Sequence, residues 1–187
     1  NEFNPYPLRN APGPVSFSSF KTIDDVNILY NKLLPKPKSQ FFYAIKNNFE
    51  KVHYNEISKV IGKDKILKKG SFSKYLYKSK LIICSYAQTA FLESIVTGPT
   101  ILIYNPKQWI HQKQFNESYK KLKKSKIVFD DPILAAEHIN DNWDRIDQWW
   151  NQSNVKNSRN HFLNQFNLPT SSNIKKWYHF INTNIKN

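Results

Sequence analysis

Apolar residues alternate along the chain between helical spacing and short continuous runs. From about residue 22, helical spacing predicts a helix that should end at Pro35-Lys36-Pro37. Its expected apolar face consists of Val26, Leu29, Tyr30, Leu33 and Leu34. Short apolar runs predict strands at 40–46, which should be buried, and at 63–67, 81–84, 100–104 and 126–129. Between them the pattern predicts helices at 50–62, at 71–79, from about 89 to Gly98-Pro99, and at 108–124.

Only helices are predicted after residue 130. Asp131-Pro132 has the residue types preferred at the N-cap and the first position of a helix. The apolar stripe that follows is unbroken and consists of Ile139, Trp143, Ile146 and Trp150. One indole of the Trp149–Trp150 pair is expected to stay partly exposed, and two further helices are predicted at 154–166 and 172–184. The order of elements predicts an α/β fold with a parallel sheet, closed by an all-helical end.

The length of 187 residues suits a single domain. We expect a loop over 1–20, an α/β core over 21–130 and a helical end over 131–187. The sequence contains no methionine, so we expect a piece of a longer protein. The single cysteine, Cys84, excludes an internal disulfide and is expected to be buried and inert. No run approaches the roughly 18 apolar residues of a membrane span. These features agree with a cytoplasmic protein.

The net charge of +14 has two interpretations. Lysines are scattered, with a dense run at 118–126 and a looser run at 63–70. Heavy use of Asn, Lys and Ile throughout the chain is typical of a genome-wide codon preference. A basic chain is also attracted to phosphate-bearing ligands and lipid headgroups. Both interpretations stay open from the sequence.

A polar turn, Ser85-Tyr86-Ala87-Gln88-Thr89, follows the predicted strand 81–84. Ligands of open parallel sheets bind where strands turn into helices, and a helix N-terminus attracts phosphate. Ser85, Gln88 and Thr89 add side-chain donors at this point. Glu93, one helical turn beyond Thr89, could accept hydrogen bonds from a ribose diol. The alternative is an ordinary strand–helix junction, because Ser and Thr are common helix caps.

Two basic residues are further candidates. Lys46 ends the strand predicted at 40–45, where its charge would neutralise a diphosphate or merely solvate a loop. Arg9 is one of three arginines in a lysine-rich chain, and arginine binds phosphate or carboxylate in a bidentate manner. A structural role for Arg9 is equally compatible with the sequence. The four glycines exclude a glycine-rich phosphate loop, and the histidines lack metal-ligand spacing.

Two segments, YAQTAFLESIVTGPTILIYNPKQW and FDDPILAAEHINDNWDRIDQWWNQSNVKNSRNHFLNQF, resemble the C-terminal part of a bacterial family of surface-carbohydrate biosynthesis transferases. These enzymes look like GT-B glycosyltransferases, distantly similar to CDP-glycerol glycerophosphotransferases and capsule Kdo transferases. Upstream, YPLRNAPGP and FFYAIK follow the same order of features. The resemblance implies a Rossmann-like sheet flanked by helices, which is the donor-binding half of a GT-B fold. The N-terminal acceptor lobe would then be absent.

The resemblance also implies which residues bind the donor. Ser85, Gln88, Thr89 and Glu93 would be donor-site positions, with Tyr86 in the same turn. Arg9 and Lys46 would face the donor phosphate or an acidic sugar. The implied donor is a nucleotide-activated sugar, with a CMP-linked acidic sugar preferred, and no cofactor or metal is expected.

Three functional hypotheses follow. The first is the nucleotide-sugar-binding lobe of a glycosyltransferase of bacterial surface polysaccharide biosynthesis, inactive alone. Its glycan or glycolipid acceptor would bind through the missing lobe. The protein would lie in the cytoplasm or at the cytoplasmic face of the inner membrane, with peripheral membrane contact. No specific nucleic acid partner is expected. The second is a non-catalytic basic module that binds nucleic acid or anionic membrane surfaces. The third is a folded, degenerate remnant of a transferase.

Overall fold

The computed structural model of the protein describes residues 16–44, 51–67, 72–85, 87–105, 113–166 and 182. The helices are α1 (Ser16–Lys32), α2 (Pro35–Ser39), α3 (Lys51–Ile61), α4 (Phe72–Leu76), α5 (Thr89–Thr97), α6 (Asn116–Lys124), α7 (Pro132–Asn142), α8 (Ile146–Trp150) and α9 (Ser153–Phe166). The strands are β1 (Tyr43–Ala44), β2 (Ile66–Leu67), β3 (Ile82–Cys84), β4 (Thr100–Ile103) and β5 (Val128–Phe129). Short 3-10 turns lie at Lys63–Lys65, Lys113–Phe115 and Trp143–Arg145.

All strand pairs in the described ranges are parallel, as the alternation of strands and helices predicts. β1 pairs with β2, and a second sheet has the order β3-β4-β5. These strands are two to four residues long, so helices make up most of the described structure. The prediction of an α/β fold with parallel strands is confirmed. Among the described residues, no helix combines the length and apolar character that crossing a membrane requires.

The central strand β4 lies in the middle of the main core. All four of its residues are buried, and successive side chains of a strand point to opposite faces, so both faces of the sheet are covered. α5 packs against β3 and β4, whereas α7 packs against β4 and β5. Phe91 and Ile95 are the buried apolar anchors of α5, and Ile139 is one of those of α7. This packing fixes the positions of the helices that leave the strand ends.

The start of α7 agrees with the prediction. Asp131 is the N-cap, and its Oδ1 accepts a hydrogen bond of 2.8 Å from the backbone N–H of Ile133. Pro132 occupies the first turn, where a missing N–H costs nothing. The predicted stripe is buried throughout, but a 3-10 turn at Trp143–Arg145 divides the helix into α7 and α8.

Two predictions about α1 are wrong: the helix begins at Ser16, within the segment 1–20 that was expected to be a loop, and one residue of its predicted apolar face is exposed. Leu34 is 57% exposed, whereas the other residues of the predicted face are buried. α1 ends at Lys32, and Leu34 is extended (φ −66°, ψ 161°) because it precedes Pro35. Its N–H donates to Asn140 Oδ1 over 2.9 Å, and Asn140 Nδ2 donates to the Lys32 carbonyl over 3.0 Å. The proline segment also starts a new helix, α2, so it does more than end α1.

The strand predicted at 40–46 is shorter and less buried than expected. In its described part, β1 has two residues and Phe42 is 54% exposed. Phe41 packs edge-on against Tyr30 with 5.4 Å between ring centroids, so only one of the two phenylalanines joins the core. The helix predicted at 154–166 is confirmed as α9, and the segment predicted at 172–184 falls outside the described residues apart from position 182.

The expectation of a partly exposed indole is wrong. Trp149 and Trp150 are 4% and 7% exposed. The guanidinium of Arg159 in α9 lies over the Trp150 ring, 4.3 Å from its centroid, and shields it from solvent. A cation from a neighbouring helix therefore covers the Trp150 indole, whereas the sequence analysis expected one indole of the pair to stay partly exposed.

His138 of α7 makes the stability of the fold depend on pH. Its ring packs between Phe129 (5.5 Å between centroids) and Trp149 (4.8 Å). Burial, assisted by the nearby Lys126 cation, lowers the pKa of His138 from 6.5 to about 4, against a small opposing effect of Asp141. Between these values the unfolded chain binds a proton that the folded chain does not, so stability falls as the pH falls from about 6.5 to 4.

We expect this histidine to remove about 1–2 kcal/mol of unfolding free energy by pH 4.5, after allowance for screening of a partly exposed ring. His138→Phe keeps an aromatic ring between its two neighbours and removes the titrating group. Urea unfolding at pH 7.5 and 4.5 should therefore show a smaller loss of stability in the variant. An equal loss in both proteins would contradict this role.

Candidate functional site

The polar turn lies at the carboxyl edge of the three-stranded sheet. β3 ends at Cys84, which is in register with Leu102 of β4, and Ser85 follows half-buried. α5 begins four residues later at Thr89. Because the strands are parallel, the residues that follow β3, β4 and β5 lie at the same edge of this sheet. The site predicted from the sequence is therefore at the edge where ligands of parallel sheets bind.

The local sequence explains why α5 starts here. Gln88 is the N-cap residue in an extended conformation (φ −126°, ψ −163°), and its carbonyl accepts the first helical hydrogen bond, 3.0 Å from the Leu92 N–H. The helix then buries Phe91, Ser94 and Ile95 towards the sheet. It ends at Gly98, where the chain enters β4 through Pro99.

Thr89 and Glu93 lie on the outer side of α5. Both side chains are exposed, and their spacing of four residues places them on one helix face. The backbone between them is held from within, because Ser94 Oγ donates to the Ala90 carbonyl over 2.6 Å. The Thr97 hydroxyl also donates to the Glu93 carbonyl over 2.7 Å. A hydroxyl and a carboxylate are thus presented to solvent by a helix with a fixed inner face.

Cys84 is buried and inert, as the sequence predicts. Its Sγ lies 3.9 Å from Ser94 Oγ beneath α5. Burial raises the pKa of the thiol to about 12, against a smaller lowering by Ser94. The thiol stays protonated at neutral pH, so it packs beneath the polar turn and does not act as a nucleophile.

Four of the seven predicted site residues are described: Ser85, Gln88, Thr89 and Glu93. The structure places them within one strand–turn–helix segment. Arg9, Lys46 and Tyr86 fall outside the described residues. Across the described ranges, no group of three or more His, Cys, Asp or Glu side chains is arranged to hold a metal ion.

Sequence reasoning missed two polar residues at the same edge. Leu102 and Ile103 pair with Val128 and Phe129, and the Tyr104 N–H donates to the Phe129 carbonyl over 2.7 Å. Asp130 therefore follows β5 directly, as Ser85 follows β3, and Asn105 stands two residues after β4. Asp130 forms an ion pair with Lys123. The available signal is a polar residue soon after the apolar runs 100–104 and 126–129, the same signal that predicts Ser85 and Lys46 as site residues.

Comparison with known proteins gives one match. The family model described as LIC12162 family transferase matches residues 1–181 of the chain. No curated protein and no solved structure matches it.

Proposed function

Because the chain belongs to the LIC12162 family of transferases, we propose that it is the nucleotide-sugar-binding lobe of a glycosyltransferase of bacterial surface polysaccharide biosynthesis. In this proposal it is the C-terminal, Rossmann-like lobe of a GT-B enzyme, as the resemblance to GT-B transferases implies. All 187 residues would form one domain, inactive without an acceptor lobe. That lobe would bind the glycan or glycolipid acceptor at the cytoplasmic face of the inner membrane.

The observation that carries the proposal is the start of α5 at the carboxyl edge of a parallel sheet. The N-terminal turn of a helix is the positive end of its dipole, and its N–H groups suit a phosphate. Ser85 precedes that turn, and Thr89, whose side chain is exposed, is its first residue.

Each site residue has a role in the proposed enzyme. The first turn of α5 and Thr89 would stabilise the negative charge that develops on the departing nucleotide phosphate. Glu93, one turn further along the exposed face, would accept hydrogen bonds from the ribose hydroxyls. Arg9 and Lys46 would neutralise the phosphate or an acidic sugar, with Tyr86 and Gln88 completing the turn. A CMP-linked acidic sugar is the donor we favour.

Replacement of Glu93 by alanine tests the ribose assignment. We expect at least about tenfold weaker nucleotide binding, because hydrogen bonds to a charged group contribute about 1.5–3 kcal/mol. Isothermal titration with CMP, CDP, UDP and GDP would identify the best ligand. Glu137→Ala is the matched control, because Glu137 is an exposed glutamate on α7 and its loss changes the net charge equally.

A 2′-deoxy analogue of the best ligand makes the test specific to the proposed contact between Glu93 and the ribose 2′-hydroxyl. The wild-type chain should lose affinity for the analogue, whereas Glu93→Ala should bind both forms equally. Full nucleotide affinity in Glu93→Ala would remove this residue from the site. Equal losses in Glu93→Ala and Glu137→Ala would indicate a general charge effect.

A further inference from the structure

The dense lysine run that the proposed function does not use forms one wall of a cleft. The cleft lies between α6 and α9 and has a volume of about 470 Å³, which is within the range of small-molecule sites. Its principal lining residues are Lys121, Lys124, Asn154, Asn157, Ser158 and His161. Each of these described residues carries a polar or charged group that can contact a ligand.

The walls of the cleft are held together by hydrogen bonds that join α9 to α6 and to the 3-10 turn before it. Ser118 Oγ donates to Gln165 Oε1 over 2.7 Å, and Gln165 Nε2 donates to the Gln114 carbonyl over 2.8 Å. Phe115 packs against Phe162 with 6.1 Å between ring centroids. These contacts hold the two helices at a fixed spacing.

One cation of the cleft is oriented by its neighbours and another is available. Lys121 Nζ lies 2.6 Å from Glu117 Oε1 and 3.2 Å from His161 Nδ1, which directs the ammonium between the two helices. Lys124 is exposed, and within the described part of the chain it makes no ion pair or side-chain hydrogen bond. The first turn of α9 brings Asn154 and a positive dipole end to the same cleft.

Charge is unevenly distributed along the helical part of the chain. Residues 113–131 contain six lysines and three acidic residues, and α9 contains Lys156 and Arg159 with no acidic residue. Residues 132–150, in contrast, contain four acidic residues and one arginine. A codon preference acts on the whole chain alike, so it does not account for this segregation. Compensation of the α6 dipole explains lysines in its last turn, but not the amides and hydroxyl opposite them.

We propose that the cleft between α6 and α9 binds a phosphate monoester carried by a sugar or by a lipid headgroup. Lys124 and Lys121 bind the phosphate oxygens, and the amides of Asn154 and Asn157 with the Ser158 hydroxyl bind sugar hydroxyls. The ligand is either a soluble sugar phosphate or the phosphorylated headgroup of a lipid, since both offer the same chemistry. This site shares no residue with the proposed donor site at α5.

Isothermal titration calorimetry of the 187-residue chain with glucose 1-phosphate tests the proposal. Lys124→Gln should weaken binding at least about tenfold, and Asn157→Ala should weaken it by a smaller factor. Lys120→Gln is the matched control, because Lys120 is an exposed lysine of the same helix outside the cleft, and it should change binding less than about twofold. Glucose should not bind, and Glu93→Ala should bind glucose 1-phosphate as the wild type does.

A second arm distinguishes the two sources of phosphate. Sedimentation with phosphatidylcholine vesicles, with and without phosphatidic acid, measures binding to a lipid phosphate. Binding that depends on phosphatidic acid and is lost in Lys124→Gln but kept in Lys120→Gln would indicate a lipid headgroup. The same contrast with glucose 1-phosphate alone would indicate a soluble ligand. Equal losses in the two variants, or no binding in either arm at millimolar ligand, would overturn the proposal.

Discussion

Phe91→Ala should lower the free energy of unfolding by about 3–5 kcal/mol, because it deletes a fully buried aromatic ring and leaves a cavity. Phe91 is 0% exposed on the inner face of α5 and packs against Phe162 of α9, with 5.5 Å between ring centroids. It therefore joins the α5 segment to the helical end of the chain. In a chain of this size, such a loss corresponds to a decrease of roughly 10 °C in Tm.

Val96→Ala is the matched control for Phe91→Ala. Val96 lies on the same helix but is 47% exposed, so we expect a change within about 0.5 kcal/mol. Thermal unfolding by circular dichroism compares the two variants. If all 187 residues form one domain, as we propose, Phe91→Ala lowers a single transition. Similar effects of the two substitutions, or a second transition that keeps the wild-type Tm, would contradict this packing.

Trp149→Ala should have a comparable effect, about 3–5 kcal/mol. The Trp149 ring contacts His138 at 4.8 Å and Trp150 at 5.4 Å between centroids. Its Nε1 donates to the buried Ser125 carbonyl over 3.3 Å. Removal of the ring therefore opens a cavity and breaks the link between α8 and the residue that follows α6.

Trp149→Phe separates the two contributions. It keeps most of the ring packing and loses the hydrogen bond, so we expect a cost of about 1–2 kcal/mol. Gln148→Ala, at the exposed neighbouring position, is the control and should change stability little. Urea unfolding gives all three values. A Trp149→Ala variant as stable as Gln148→Ala would show that the indole does not support the helical end.

The strand and helix predictions succeeded where local sequence determines local structure. α5 begins at Thr89 as predicted, because a polar turn precedes an apolar helical face and Gly98-Pro99 follows it. The Leu34 and Phe42 predictions failed for different reasons. The apolar spacing of the helix includes Leu34, but the following proline holds the Leu34 backbone in an extended conformation, so its side chain leaves the helical face. The aromatic run at Phe41-Phe42 does not reveal which of the two rings reaches the core.

The same distinction between local sequence and tertiary packing applies to the candidate sites. Ser85 to Glu93 is one contiguous segment, so its residues could be proposed from the sequence. Asn105 and Asp130 come to the same sheet edge as that segment only through strand order and register, which local patterns do not contain. The cleft between α6 and α9 joins residues about 30 to 40 positions apart, and its existence depends on tertiary packing.

The most direct test of the central claim is thermal unfolding of the wild-type chain with CMP, CDP, UDP, GDP or heparin at low and high salt. A ligand that binds only the native state adds about 2.7 kcal/mol of stability at 100 times its Kd, which raises Tm by several degrees. A donor lobe predicts an increase with one nucleotide that persists at high salt and is lost in Glu93→Ala. A Tm increase with heparin alone, abolished by salt, would contradict it and favour a basic binding module. The same Tm with every ligand would also contradict it, and would indicate a transferase remnant without a donor site.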